Sequence, residues 1–377
     1  MKVILSGGGT GGHVNPALAI GAVIERFEPD STISYVGTPK GIENTLVPEK
    51  YKMYHVDIRG LRRSLSLSNL KTLWLTLTAK SKAKKILREV QPDIVIGTGG
   101  YVCWPIAAAA ADMGIPTVLH ESNAVPGLAV TMLERKADII FVNFDKTTEA
   151  LPHAKRVIHI GTPIRPDFFT CRERIPEERE KLGIGENGKY QYFVLSFGGS
   201  LGAGRLNSEV LDLMENYGKN HPETLLIHVA GRANYDELKA RFDERELGSY
   251  ENLQLLPYLF DMSAKMAAAD LVICRSGATT LSELAVLGKP AILIPSPNVT
   301  NDQQTKNARL FSDVGAALLL RESELTPGKL ESEMLALLND PAKLEEMSAK
   351  TAEFAVEHTE ELIYRTLADL VESKKNK

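Results

Sequence analysis

Short, continuous apolar runs alternate with longer stretches of helical periodicity along most of this chain. VILSG (3–7) is an apolar run that closes on glycine, and a helical pattern follows it through Phe27. TISYVG (32–37), MYHVDI (53–58), DIVIGTGG (93–100), PTVLHESN (116–123) and ADIIFVN (137–143) repeat the run. LSNLKTLWLTLTAKSKAKKILREV and the alanine-rich segment after Pro105 carry the helical pattern between them. Unbroken apolar runs bounded by glycine and separated by helices predict strands buried on both faces. That means a parallel sheet with helices on each side.

The series breaks and restarts. RVIHIGTPIRPDFF (156–169) contains two prolines and a glycine, and a charged stretch follows it. The joint is placed near Thr162, giving domains 1–162 and 163–354. The second series runs through YFVLSFGGSLGAGRLNSEV (192–210), TLLIHVAG (224–231), LQLLPY (253–258), LVICRSG (271–277), AILIPSP (291–297) and AALLL (316–320). A length of 377 residues suits two domains better than one core. The fold class is α/β, with two Rossmann-like halves that each open on strand, glycine turn, helix. Ligands of open α/β sheets bind beyond the carboxyl ends of the strands. Two halves facing each other would line a cleft with both rows of strand ends.

Composition narrows the classes. A net charge of −4 gives no reason to expect nucleic acid. Cys103, Cys171 and Cys274 are scattered and odd in number, which suits reduced thiols rather than a disulfide frame or a zinc site. No signal peptide fits before the first strand, and IAAAAADMGIPTVL (106–119) is interrupted by Asp112, Gly114 and Pro116. Membrane contact is therefore expected to be peripheral.

SGGGTGGH (6–13) fits the dinucleotide fingerprint GxGxxG through Gly7, Gly9 and Gly12. A nicotinamide site also needs an acid at the end of the second strand. That strand ends Val36-Gly37-Thr38 with no carboxylate at that point. The turn instead suits an anion or diphosphate, held by backbone N–H groups at the helix start. Gly99, Gly100 and Tyr101 repeat the glycine turn, and His120, Glu121 and Asn123 follow another strand. With His13 they supply an acid/base set that titrates near neutral pH. In the second half Ser200 sits in a third glycine turn. CRSGATTLSE (274–283) offers the Arg275 guanidinium, open N–H groups at a helix start and the Glu283 carboxylate, which could accept from a sugar diol. Gln303 and Gln304 are amides suited to sugar hydroxyls. No DxD, HExxH or Cys/His cluster appears. A diphosphate leaving group would then be stabilised by N–H groups and helix dipole, with no tightly bound cofactor and no required divalent metal.

Residues 61–90 carry eight basic side chains against one acid, interleaved with Leu67, Leu70, Leu73, Trp74 and Leu77. A core helix with a solvated basic end and an interfacial helix on anionic lipid both fit this pattern.

GGGTGGH, IGTGGY, HESN, FGGSLGA, CRSGATTLSE and NDQQ, in this order and spacing, closely resemble the MurG family of bacterial N-acetylglucosaminyltransferases, over essentially the whole chain. The resemblance implies a GT-B fold with a deep cleft and a last helix, about 355–377, packed back on the first domain. It implies UDP-GlcNAc as donor on the C-terminal half and undecaprenyl-diphospho-MurNAc-pentapeptide (lipid I) as acceptor on the N-terminal half. The product is lipid II, formed with inversion at the cytoplasmic face of the plasma membrane. An anionic membrane surface and cell-wall synthesis proteins are the implied partners. Carried over, Thr10, Gly11, Gly12, Asn123, Arg165, Ser200, Leu259, Arg275, Ala278, Thr279, Thr280, Leu281, Ser282, Glu283, Gln303 and Gln304 fall on donor contacts. Leu259 falls where the family reads uracil through backbone. Gly99, Gly100, Tyr101 and His120 are assigned to the acceptor, and Leu70, Leu73, Trp74 and Leu77 to a membrane patch. His13 is the favoured base, with Glu121 second. Alternatives of the same fold are a lipid glycosyltransferase and a UDP-GlcNAc 2-epimerase; a nicotinamide oxidoreductase and a non-catalytic sugar-nucleotide binder are alternatives of other classes.

Overall fold

A computed structural model describes residues 1–58, 68–199 and 203–375, with residues 68–77 through their backbone alone. The chain forms two compact units, one of Met1–Pro163 with Val356–Lys377 and one of Ile164–Ala355.

The first unit is built on strands β1 (Lys2–Ser6), β2 (Thr32–Gly37), β3 (Lys52–His55), β4 (Ile94–Gly97), β5 (Thr117–Glu121), β6 (Ile139–Val142) and β7 (Val157–His159). They form one parallel sheet in the order β3-β2-β1-β4-β5-β6-β7. Side chains alternate across a strand, so a strand covered on both faces must be apolar throughout. In β1, Val3 and Leu5 join one buried cluster while Ile4 joins another. The final helix, Thr359–Lys375, belongs to this unit despite its distance in sequence. Ile363, Leu367 and Val371 enter the cluster that holds Val3 and Leu5. Phe27 and Tyr364 stack at 4.9 Å, and Arg26 pairs with Glu360.

The second unit carries β8 (Tyr192–Phe197), β9 (Thr224–Val229), β10 (Leu253–Leu256), β11 (Leu271–Cys274), β12 (Ala291–Leu293) and β13 (Leu318–Leu319). Its order, β10-β9-β8-β11-β12-β13, repeats that of the first sheet's first six positions. Two predicted strands are shorter than their apolar runs. AALLL retains only Leu318–Leu319 as strand, and LQLLPY stops at Leu256, before Pro257 removes a backbone donor. In both sheets the order reverses beside the first strand of the series, between β1 and β4 and between β8 and β11. Such switch points are where open α/β sheets hold ligands.

Candidate functional site

At the β1/β4 switch point two glycine turns interlock around one histidine. The loop after β1 leads into the helix Gly11–Phe27, with Thr10 as its N-terminal boundary residue. His13 lies in the first turn of that helix. Its Nδ1 is 3.0 Å from the Gly8 carbonyl oxygen and 3.3 Å from Thr10 Oγ1. A carbonyl cannot donate, so Nδ1 carries the proton and Nε2 keeps its lone pair. No hydrogen bond reaches Nε2 among the described residues. Burial lowers the imidazole pKa below its ordinary value, against the Gly8 bond, which raises it. The ring is therefore neutral at physiological pH.

The second turn follows β4. Gly99 and Gly100 have φ of +105° and +76°, a region that disfavours side chains. A Cβ on Gly99 would lie 2.6 Å from His13 Cδ2, and one on Gly100 would lie 2.2 Å from the Gly8 oxygen. Both glycines are needed for the close approach of this turn to His13 and its carbonyl partner. Thr98 Oγ1 adds a bond of 2.6 Å to the His13 carbonyl. The outer face of the cluster stays open: Thr10, Gly12 and Tyr101 are exposed and Gly11 is half-buried.

Three expectations change here. His120 does not face the site. It is fully buried, with Nε2 3.5 Å from the Gly161 oxygen and Nδ1 3.3 Å from Ser122 Oγ, and burial pulls its pKa down to about 4. All five residues of β5 are buried, and His120 lies in packed interior, away from an acceptor. Glu121 is also buried, and its oxygens are taken. Oε1 accepts from Asn123 N–H at 3.0 Å and from Asn123 Nδ2 at 3.1 Å, and Oε2 accepts from Gly127 N–H at 2.7 Å. Burial raises its carboxyl above the usual range, but these donors bind its lone pairs. It ties together the loop that carries Asn123 and Gly127. Finally, an acid does stand at the end of β2. Glu43, met later in the chain, folds back so that Oε1 accepts from Thr38 N–H and Thr38 Oγ1, each at 2.7 Å. It is fully buried and bonded there, so no ribose reaches it, and the case against a nicotinamide site stands on geometry. Its only sequence signal is the turn-forming neighbourhood of GIEN after the strand.

At the β8/β11 switch point the arrangement is open. β11 ends at Cys274, and Arg275-Ser276-Gly277 turns into the helix Ala278–Leu287. No side chain among the described residues caps this helix. Leu281 N–H bonds the Gly277 carbonyl, while the N–H groups of Ala278, Thr279 and Thr280 meet no acceptor among the described residues and suit an anion. Leu281 itself is core, and the half-buried Ser282 donates its hydroxyl to the Ala278 carbonyl at 3.2 Å.

Arg275 does not extend toward a ligand. It is buried, donates to the Ile294 and Pro295 carbonyls at 2.9 and 3.0 Å and pairs with Glu322. It fastens the ends of β11 and β12. Ser276 is likewise structural, donating to the Gln304 carbonyl at 2.8 Å.

Glu283, one turn into the helix, is different. No hydrogen-bond donor reaches its carboxylate among the described residues. Burial raises its pKa to about 7, with Arg165 opposing the shift and Asp167 adding to it. Arg165 is exposed, pairs with Asp167 at 3.0 Å and lies over the Phe168 ring. Gln303 and Gln304 open the helix Gln303–Ser312, behind Asn301 and Asp302, which both hold positive φ without being glycine. Gln304 Oε1 accepts from Ser296 N–H at 2.8 Å, while the Gln303 side chain bonds nothing among the described residues. The Leu259 side chain is buried, and its N–H and C=O enter no hydrogen bond among the described residues. Ser200 and the side chains of Leu70, Leu73, Trp74 and Leu77 lie outside the described residues. No group of metal-binding side chains occurs among the described residues.

Comparison with known proteins agrees with this layout. Residues 3–142 match the glycosyltransferase family 28 N-terminal domain and residues 193–363 the family's C-terminal domain. A protein of Acetivibrio thermocellus is 40% identical over 375 residues, covering 99% of each chain. One of Lactococcus lactis is 37% identical over 371 residues, covering 98% of this chain and 99% of the relative. Both are named UDP-N-acetylglucosamine--N-acetylmuramyl-(pentapeptide) pyrophosphoryl-undecaprenol N-acetylglucosamine transferase. The crystal structure of Acinetobacter baumannii MurG superposes with a TM-score of 0.76 at 29% identity, covering 98% of this chain and 99% of that one. UDP-GlcNAc 2-epimerase from Neisseria meningitidis, at 15% identity and a TM-score of 0.62 over 98% of this chain and 100% of its own, shares the fold alone. The two Rossmann-like units are those of the GT-B class, and the chain belongs to glycosyltransferase family 28, within its MurG group.

Proposed function

We propose that this protein transfers GlcNAc from UDP-GlcNAc to the C4 hydroxyl of MurNAc in lipid I, giving lipid II with inversion at the sugar carbon. The observation that carries the reading is the 40% identity, over 99% of both chains, to a protein named for this transfer. The geometry supports it with a neutral imidazole in the first unit and, in the second, a helix start and a carboxylate that no side chain among the described residues caps or bonds.

His13 Nε2 takes the proton of the MurNAc hydroxyl as its oxygen attacks C1 of GlcNAc. The bond from C1 to the UDP oxygen breaks on the opposite face, through an oxocarbenium-like transition state. The departing diphosphate gains charge, and the open N–H groups of Ala278, Thr279 and Thr280, at the positive end of the helix dipole, are suited to stabilise it. Glu283 accepts from the ribose hydroxyls, the Leu259 backbone meets the uracil edge, and Gln303 with the Gln304 amide nitrogen meets the GlcNAc hydroxyls. Thr10, Gly11, Gly12, Tyr101 and Asn123 face the acceptor and the transferred sugar.

The acceptor is a membrane lipid, and no helix among the described residues is long and apolar enough to cross a bilayer. The basic, leucine- and tryptophan-bearing stretch around Trp74 supports peripheral attachment to anionic lipid at the cytoplasmic face. Trp74→Ser should reduce sedimentation with anionic vesicles and leave transfer to a detergent-soluble acceptor unchanged. Equal sedimentation would move the attachment elsewhere. The transfer itself is tested by His13→Ala: near-normal turnover with lipid I would remove His13 as base. Formation of UDP-ManNAc from donor alone would favour the epimerase.

A further inference from the structure

We infer that Glu43 is a positioning residue for the His13 base, acting through the single peptide unit that joins Gly8 to Gly9. This rests on His13 being the base of the proposed transfer. Gly9 N–H lies 3.5 Å from Glu43 Oε2, and the Gly8 carbonyl accepts from His13 Nδ1 at 3.0 Å. That N–H and that C=O belong to one amide. No peptide bond in the described residues is cis, so the two groups point in opposite directions across one planar, resonance-coupled unit. A carboxylate stands at one end and the imidazole at the other.

The carboxylate is built into place. Glu43 is fully buried at the start of the short helix Glu43–Leu46, and its side chain fills space left by Gly8, Gly37 and Gly41. Burial pushes its carboxyl up, but the Thr38 N–H and hydroxyl bonds outweigh this and hold it below the ordinary value, so it is charged at neutral pH. The neighbouring titratable groups do not compete for the amide. Tyr35 donates to the Gly7 carbonyl at 2.7 Å, Cys103 is a buried thiol pushed up to about 12, and the Tyr101 ring edge approaches Gly9 from outside.

The chemistry follows from charge. An N–H leaning on a carboxylate leaves more electron density on the carbonyl of the same amide, and bonds in such a chain reinforce one another. The Gly8 oxygen then holds the Nδ1–H tautomer, keeping Nε2 free. It also stabilises the imidazolium that forms when Nε2 takes the hydroxyl proton. A buried carboxylate does this directly for the histidine of a serine-protease triad; here an amide stands between.

Histidine-labelled full-length protein, with His13→Gln to assign the signal, gives the test by nitrogen NMR. In the wild type, neutral His13 should be the Nδ1–H tautomer. In Glu43→Gln that preference should weaken, the His13 titration should move to lower pH, and kcat should fall about tenfold while KM for UDP-GlcNAc stays within about twofold. Thr38→Val, which removes one donor to Glu43 but leaves the Gly9 contact, should lower Tm without changing the His13 tautomer. A folded Glu43→Gln protein with wild-type His13 tautomer and titration overturns the inference. So does an Nε2–H tautomer in the wild type. Full activity in His13→Ala would instead remove the base assignment and leave the NMR result standing.

Discussion

In the N-terminal unit the turn after β4 presses two glycines against His13, and Glu43 closes the loop beneath it. In the C-terminal unit the turn after β11, the topological counterpart, opens onto a helix start and a carboxylate that, among the described residues, have no cap and no donor. The same strand order thus supports two designs. A general base must be held in one tautomer and one orientation, which takes bonds and steric contact within the protein. A binding site for a nucleotide diphosphate must leave its donors and acceptors unused until the ligand comes. Where the protein satisfies a group itself, as with Arg275, the group supports the site rather than touching the ligand.

The sharpest way to break this contrast is at the base. His13→Ala should lower kcat by about 10²–10⁴ while leaving UDP affinity near wild type. Loss of UDP binding instead would place His13 in the donor site and erase the division of labour.

Next comes Arg275. If it fastens the sheet edge, Arg275→Ala should destabilise the protein by about 3–5 kcal/mol, read as a fall in Tm, because Glu322 is left unpaired beside two orphaned carbonyls. An unchanged Tm with lost UDP affinity would return Arg275 to the diphosphate.

Glu283 gives a smaller effect with a sign. Its carboxyl is raised to about 7 in the free protein. Ribose hydroxyls donate more strongly to the ionised form and so lower that pKa on binding. UDP binding should therefore release a proton below pH 7 and weaken as pH falls, measurable by calorimetry in buffers of different ionisation enthalpy. Glu283→Gln should abolish the proton release and weaken UDP by about 10- to 100-fold. Proton uptake on binding would contradict the assignment. The smallest effect is expected from metal removal: EDTA should leave the rate unchanged, since amide N–H groups take the charge of the leaving group.

The sheets were legible because buried parallel strands read as unbroken apolar runs between glycine turns, as VILSG and LVICRSG do. The motif positions were legible for the same reason, since they lie at strand ends. Whether a polar side chain at a strand end faces ligand or interior was not. His120 is one residue from Glu121 and points into packing, and Arg275 is consumed by carbonyls that lie far along the chain at Ile294 and Pro295. Glu43 carries no such signal, because its partners, Thr38 and Gly9, meet it only when the loop after β2 folds back under the first turn.

The central claim is tested most directly by one incubation. The full-length protein, UDP-GlcNAc with labelled GlcNAc and a short-chain lipid I analogue should yield a GlcNAc-β1,4-MurNAc disaccharide on the lipid, with EDTA present. Absence of that product in both EDTA and magnesium would contradict the account.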